Sequence, residues 1–154
     1  MKLQHTIIAT ALACIALAQP VAAKTYGKTT AVLDYSCVYS TDFGSVTCTF
    51  SGPGLTKMLG EAVAMELSSM EPSNSEPAYK MMGLNTAEMK RTQCYYNGRA
   101  TMNFSSYKVE EGEGGWWVPF TLASATVTKN PTIQPKSPYD GSLDSNCNPA
   151  RGKK

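Results

Sequence analysis

Few side chains in this 154-residue sequence are able to do chemistry: five cysteines, one histidine, 12 acids and the adjacent aromatic pairs Tyr95-Tyr96 and Trp116-Trp117. The histidine is His5, inside a segment that reads as an export signal. Once that segment is cleaved, Ser-His-Asp catalysis, Cys-His catalysis and any imidazole ligand are excluded. Cys37, Cys48, Cys94 and Cys147 remain. An even number of cysteines in a small exported domain implies disulfides, which removes the thiols as nucleophiles. A metal site built from all four lacks the closely spaced cysteine pairs that preorganise zinc ligands. Residues 140–146 alternate oxygen side chains as a calcium loop does, but the sixth place holds no Gly, and Arg151 stands where the bidentate Glu belongs. Ordinary turn chemistry accounts for that segment. Gly112, Gly114 and Gly115 follow acids and precede a strand, which suits a turn and not a phosphate loop. No cofactor and no metal are implied.

A carboxylate pair of the kind glycosidases use is the one catalytic device left. Glu61 with Glu66, or Glu110 with Glu111 and Glu113, could supply it. On a helix the first two face different sides, and the others look like a solvated turn. A small carboxylate-dependent hydrolase acting on an envelope polysaccharide therefore stands as the alternative function.

The aromatic pairs point elsewhere. Neighbours in a strand face opposite sides, so one member of each pair leaves the core unless a second layer covers it. If Val118 faces inward, so does Trp116, and Trp117 is the exposed one. The candidate binding site is Trp117 and Tyr96 as aromatic anchors, with Arg99 and Lys108 setting orientation. The competing reading buries both pairs between a helix on one side and the tail on the other.

These residues need a scaffold, and the sequence sketches one. Residues 1–5 are a short basic region, 7–18 an apolar run, and Val21-Ala22-Ala23 a small-residue cleavage site. That is a secretory signal peptide cleaved after Ala23. Its apolar run falls short of the roughly twenty residues that span a bilayer, and no later stretch of the mature chain is long enough. Cleavage removes Lys2 from the 14 bases and none of the 12 acids, so the mature chain, 24–154, is close to neutral. A near-neutral surface gives no basic field for nucleic acid. The expected compartment is the periplasm or the cell exterior.

Residues 29–50 read as a β-hairpin. Tyr35, Cys37 and Tyr39 alternate with polar residues, as do Val46, Cys48 and Phe50 after the turn at 40–44. A turn centred between Asp42 and Phe43 sets Cys37 opposite Cys48, within disulfide reach. Cys94 then pairs with Cys147, closing a long loop worth about 3 to 5 kcal/mol. Apolar residues from Leu55 to Met70 recur at three- and four-residue spacing, which predicts one helix of about fifteen residues ended by Pro72. Residues 72–77 form a polar loop, and a short helix starts at Thr86. Asn97-Gly98 predicts a type I′ turn inside a second hairpin, 91–107, with Tyr95 opposite Ala100. A connection at 110–115 leads to a strand over 116–128, where Pro119 predicts an edge or a bulge. From about 130 the chain reads as an extended, Pro-rich tail. Asn103-Phe104-Ser105 is a glycosylation sequon, meaningful only in a eukaryotic secretory route.

The expected fold is a single α+β domain, an antiparallel sheet of four to six strands with one packed helix, braced by disulfides; an all-β sandwich or barrel with one helix is the alternative. The expected function is a small exported binding protein of inhibitor, immunity or effector type, with a protein partner or a surface glycan as its ligand.

Overall fold

The computed structural model describes residues 23–136 and 146–152. The signal peptide, apart from Ala23, and the calcium-like segment, apart from Asn146, lie outside the described residues. The period-two pattern of the first hairpin becomes β2 (Thr29–Ser40) and β3 (Ser45–Ser51), in the register the alternation predicts: Tyr35 opposite Phe50, Cys37 opposite Cys48, Tyr39 opposite Val46. Cys37 and Cys48 are joined, as are Cys94 and Cys147. The other strands are β1 (Lys24–Tyr26), β4 (Leu67–Pro72), β5 (Tyr95–Gly112) and β6 (Gly115–Gln134). They make one six-stranded sheet in the order β3-β2-β5-β6-β4, with β1 paired to β5 at Tyr107–Val109. Every pairing is antiparallel except β4 with β6, and the sheet does not close. The fold is therefore α+β, with a mostly antiparallel, disulfide-braced sheet and three helices of seven residues in place of the one expected.

One face of the sheet carries the core. Leu33, Tyr35, Ala100, Met102, Phe104, Phe120 and Leu122 alternate inward and are almost wholly buried. Against them lie α1 (Pro53–Leu59), α3 (Ser75–Met81) and α4 (Thr86–Thr92), through Leu55, Ala78, Tyr79 and Met89. The start of α4 at Thr86 agrees with the sequence, and Asn85 caps it by accepting from the Glu88 N–H. Three tyrosines tie the helices to the sheet. Tyr35 donates to the Met82 carbonyl at 2.6 Å, Tyr107 to the Met58 carbonyl at 3.1 Å, and Tyr79 to the Val46 carbonyl at 3.0 Å. Met82 and Met58 stand at helix C-termini, where carbonyls lack intrahelical partners.

Helical spacing misleads between Leu55 and Met70. The predicted single helix stops at Leu59, because Gly60 adopts φ 84 and ψ 157, outside helical space. A one-turn helix, α2 (Glu61–Met65), follows, and residues from Leu67 are strand. A bulge between Leu67 and Ser69 gives β4 one extra residue against Trp116 and Trp117. Leu67 and Met70, three apart, thus both reach the core. That spacing mimics a helix.

The second hairpin is also absent as predicted. Asn97 and Gly98 lie inside β5, a continuous strand of 18 residues, and neither has the positive φ a type I′ turn requires. Gly98 stands opposite Tyr35, and a Cβ there would strike the Tyr35 ring. It is a packing glycine, placed so that the ring can lie across the strand. The true reversal is at 112–115, where Gly112 pairs with Gly115.

Pro119 is neither at an edge nor in a bulge. It lies between β5 and β4, opposite Glu71, and the β5 ladder passes from Tyr107↔Phe120 to Glu110↔Trp117 with no paired position between them. The tail also starts later than expected, since residues 130–134 extend β6. Beyond Cys147, the Asn148 N–H donates to the Thr92 carbonyl at 2.8 Å and a 3-10 turn (Pro149–Gly152) packs on α4.

Candidate functional site

Strand β6 positions the candidate anchor. Val118, Phe120 and Leu122 point into the core at 0%, 1% and 2% exposure, so Trp117 and Thr121 face the opposite side, which no helix among the described residues covers. Trp117 is 44% exposed, whereas Trp116 packs partly against the core. On either side of Trp117 stand Glu110 of β5 and Ser69 of β4. Lys108, two residues along β5 on the same face, forms an ion pair with Glu110. Trp117 and Lys108 are thus diagonal neighbours, at a spacing long side chains can bridge.

The other two predicted site residues do not join them. Arg99 is on the helix-free face, but nine residues back along β5, about 30 Å of strand away. There its Nε and Nη2 donate to the two carboxylate oxygens of Asp34, at 2.7 and 2.9 Å. The hydrogen bond to Asp34, then its charge, raises the Arg99 pKa, so Arg99 stays a cation.

Tyr96 is a correction. It is only 5% exposed and belongs to the core. A two-residue turn at Asn97-Gly98 would have put Tyr95 on the face of Ala100; in a continuous strand Tyr96 shares that face. Its hydroxyl is 2.9 Å from Thr92 Oγ1 and donates to Glu88 Oε1 at 3.3 Å. Burial, ahead of the other contributions, raises its pKa.

The carboxylates do not converge. Glu61 and Glu66 are exposed at the two ends of α2, and Glu110 and Glu111 alternate to opposite faces at the hairpin tip. Asn103 of the sequon accepts from Thr30 Oγ1 at 2.7 Å and donates to Ser124 Oγ at 2.9 Å, so the sheet uses both ends of its amide. Cross-strand from each other, Ser36 and Asn97 bury side-chain polar atoms with no hydrogen-bond partner.

A cleft of about 360 Å³ between β3 and β4 was not legible in the sequence. Reading 67–70 as helix hid the second wall. No protein-family model matches this chain, and neither does any curated protein or solved structure, so only its own geometry bears on what these surfaces hold.

Proposed function

We propose that this is a small exported binding protein of the periplasm or cell exterior, of inhibitor, immunity or effector type, which holds a protein partner on the helix-free face around Trp117. Two disulfides and the lack, among the described residues, of a helix long and apolar enough to cross a membrane are in keeping with export. The observation that carries the reading is Trp117, 44% exposed in a strand whose neighbouring alternate residues, Val118, Phe120 and Leu122, are almost wholly buried. An exposed indole costs the monomer hydration free energy that a partner's apolar surface would recover. Lys108 and Glu110 beside it supply a polar rim that fixes orientation.

The test is a crosslinking pull-down from an extract of the native source, with the mature, oxidised chain as bait. One stoichiometric protein is expected, and Trp117→Ala should lose it while leaving the circular dichroism spectrum and Tm unchanged. Equal recovery by the variant would remove Trp117 from the site. Recovery of glycan in place of protein would overturn the protein-partner reading.

A further inference from the structure

The one-turn helix α2 is weakly anchored. It buries no residue and packs chiefly on α1, which precedes it. A helix of its length has no stability of its own in water. Gly60 joins it to α1 at φ 84, a conformation that side-chain-bearing residues avoid. On its other side, after Glu66, comes the bulge of β4. Ala64 and Met65 of α2 nevertheless line the cleft between β3 and β4, and Met65 is 76% exposed there. α2 is thus a flap at the cleft mouth, carried on a glycine hinge.

The cleft has a buried apolar floor of Phe50, Leu55 and Met70, with hydroxyls of Thr56 and Ser69 around it. No charged side chain among the described residues lines it. An ionised ligand would lose its water there and gain no counter-ion. β3 and β4 approach each other without pairing, so the space suits a compact molecule and no third strand. Its volume of about 360 Å³ is that of a small-molecule site. At roughly 30 Å³ apiece, the share of a water molecule in the liquid, about ten to twelve non-hydrogen atoms fit. Met70 on the floor and Met65 on the flap supply thioethers, and Phe50 supplies a ring. Both kinds of group gain from contact with an aromatic ligand beyond the area they bury.

We propose that the cleft binds a free, uncharged aromatic molecule of one or two fused rings with a single hydrogen-bonding group, of the phenol, naphthol or indole class, and that α2 closes over it at Gly60. The rings lie against Phe50 between the two methionines, and the ligand's hydroxyl or ring N–H meets the hydroxyl of Thr56 or Ser69. This site goes beyond the reading of Trp117 as an anchor for a protein partner and does not depend on it.

The probe is naphthol, followed by its fluorescence as it is titrated with the mature, oxidised chain. Naphthoate is the charged control, nonanol the aliphatic one, and N-acetyltryptophanamide stands for an aromatic side chain of a partner. Naphthol should bind saturably, with a Kd below about 1 mM. Naphthoate should bind at least about tenfold more weakly, as a charge without a counter-ion requires. Amide exchange at Ala64 and Glu66, whose N–H groups close α2, should slow on binding. Met65→Ala, at an exposed position that the fold does not need, should weaken naphthol about three- to tenfold. Ala64→Phe, which supplies a ring of its own to the cleft, should abolish binding at unchanged Tm. Trp117→Ala should leave naphthol binding as it is, so failure here and failure of the Trp117 site are told apart. No saturable binding, equal binding of naphthoate or nonanol, or full binding in both Met65→Ala and Ala64→Phe would overturn the proposal. Loss of binding in Trp117→Ala would move the site to that face and overturn it too. Tighter binding of N-acetyltryptophanamide than of naphthol would give the cleft to a partner's side chain and overturn the free ligand.

Discussion

Tyr35 is 2% exposed, and its hydroxyl satisfies the Met82 carbonyl at the end of α3. Tyr35→Phe keeps the ring but leaves that buried carbonyl unpaired, so it should cost about 1 to 3 kcal/mol in urea unfolding. Its chain neighbour makes the contrast. Ser36→Ala removes a buried hydroxyl with no hydrogen-bond partner and should be neutral or mildly stabilising. A larger loss at Ser36 than at Tyr35 would contradict the bonding described. The buried phenols also predict an alkaline limit. Burial raises Tyr35 from 10.0 to about 12, and burial, with Glu71 and Glu76 nearby, raises Tyr79 likewise. The folded state thus holds these protons more tightly than the unfolded chain. Their contribution is complete below pH 10 and is lost as pH rises toward 12. Melting followed across that range should show Tm falling as phenolate absorbance grows. Of the candidate site, Trp117 was legible in the sequence because alternation from Val118 decides its face. Tyr96 was not, because one misread turn inverts the parity of every residue before it.

Among the elements, the first hairpin was readable to the residue, since its apolar residues and both cysteines agree on one register. The second hairpin failed because Asn-Gly has two physical meanings. It can supply positive φ for a turn, or a missing Cβ for close packing, and only the partner strand distinguishes them. The ring that needs the space belongs to Tyr35, 63 residues earlier by register with Gly98. Gly98→Ala should therefore destabilise by about 1 to 3 kcal/mol, through a clash in a packed interior. Gly112, which has nothing within 4 Å of the equivalent position, is the control and should change little on substitution with Ala. Matched thermal melts of the two variants decide the matter. The break at Gly60 and the bulge in β4 were hidden for a related reason: an apolar residue every third position satisfies both a helix and a bulged strand.

For the whole molecule, the class was legible from alternation and turns, whereas the number and size of its helices were not. The two disulfides restrain the unfolded chain unequally. Cys94–Cys147 joins residues 53 apart and Cys37–Cys48 residues 11 apart. Loop-closure entropy makes them worth about 4 and 3 kcal/mol respectively. Replacing both members of a pair with Ser should thus lower stability more for Cys94 and Cys147. The same double variant should speed amide exchange in α4, where the 3-10 turn and Asn148 are docked.

The central place of β5 has a consequence in time. β5 pairs with β1, β2 and β6, so most of the sheet cannot assemble until residues 95–112 have left the ribosome. The pairing of β2 with β3, by contrast, closes within residues 29–51, and its disulfide can hold it before the later strands and helices pack on it. Chains truncated after Gln93 should already hold the Cys37–Cys48 bond under oxidising conditions, with no cooperative melt. In the full chain, acid trapping during oxidation is expected to find Cys37–Cys48 before Cys94–Cys147, because the first loop spans 11 residues and the second 53. Early closure of the short loop would leave a single pairing for the other two thiols out of the three that four cysteines permit, and trapped intermediates holding Cys37–Cys94 or Cys37–Cys147 would contradict that order.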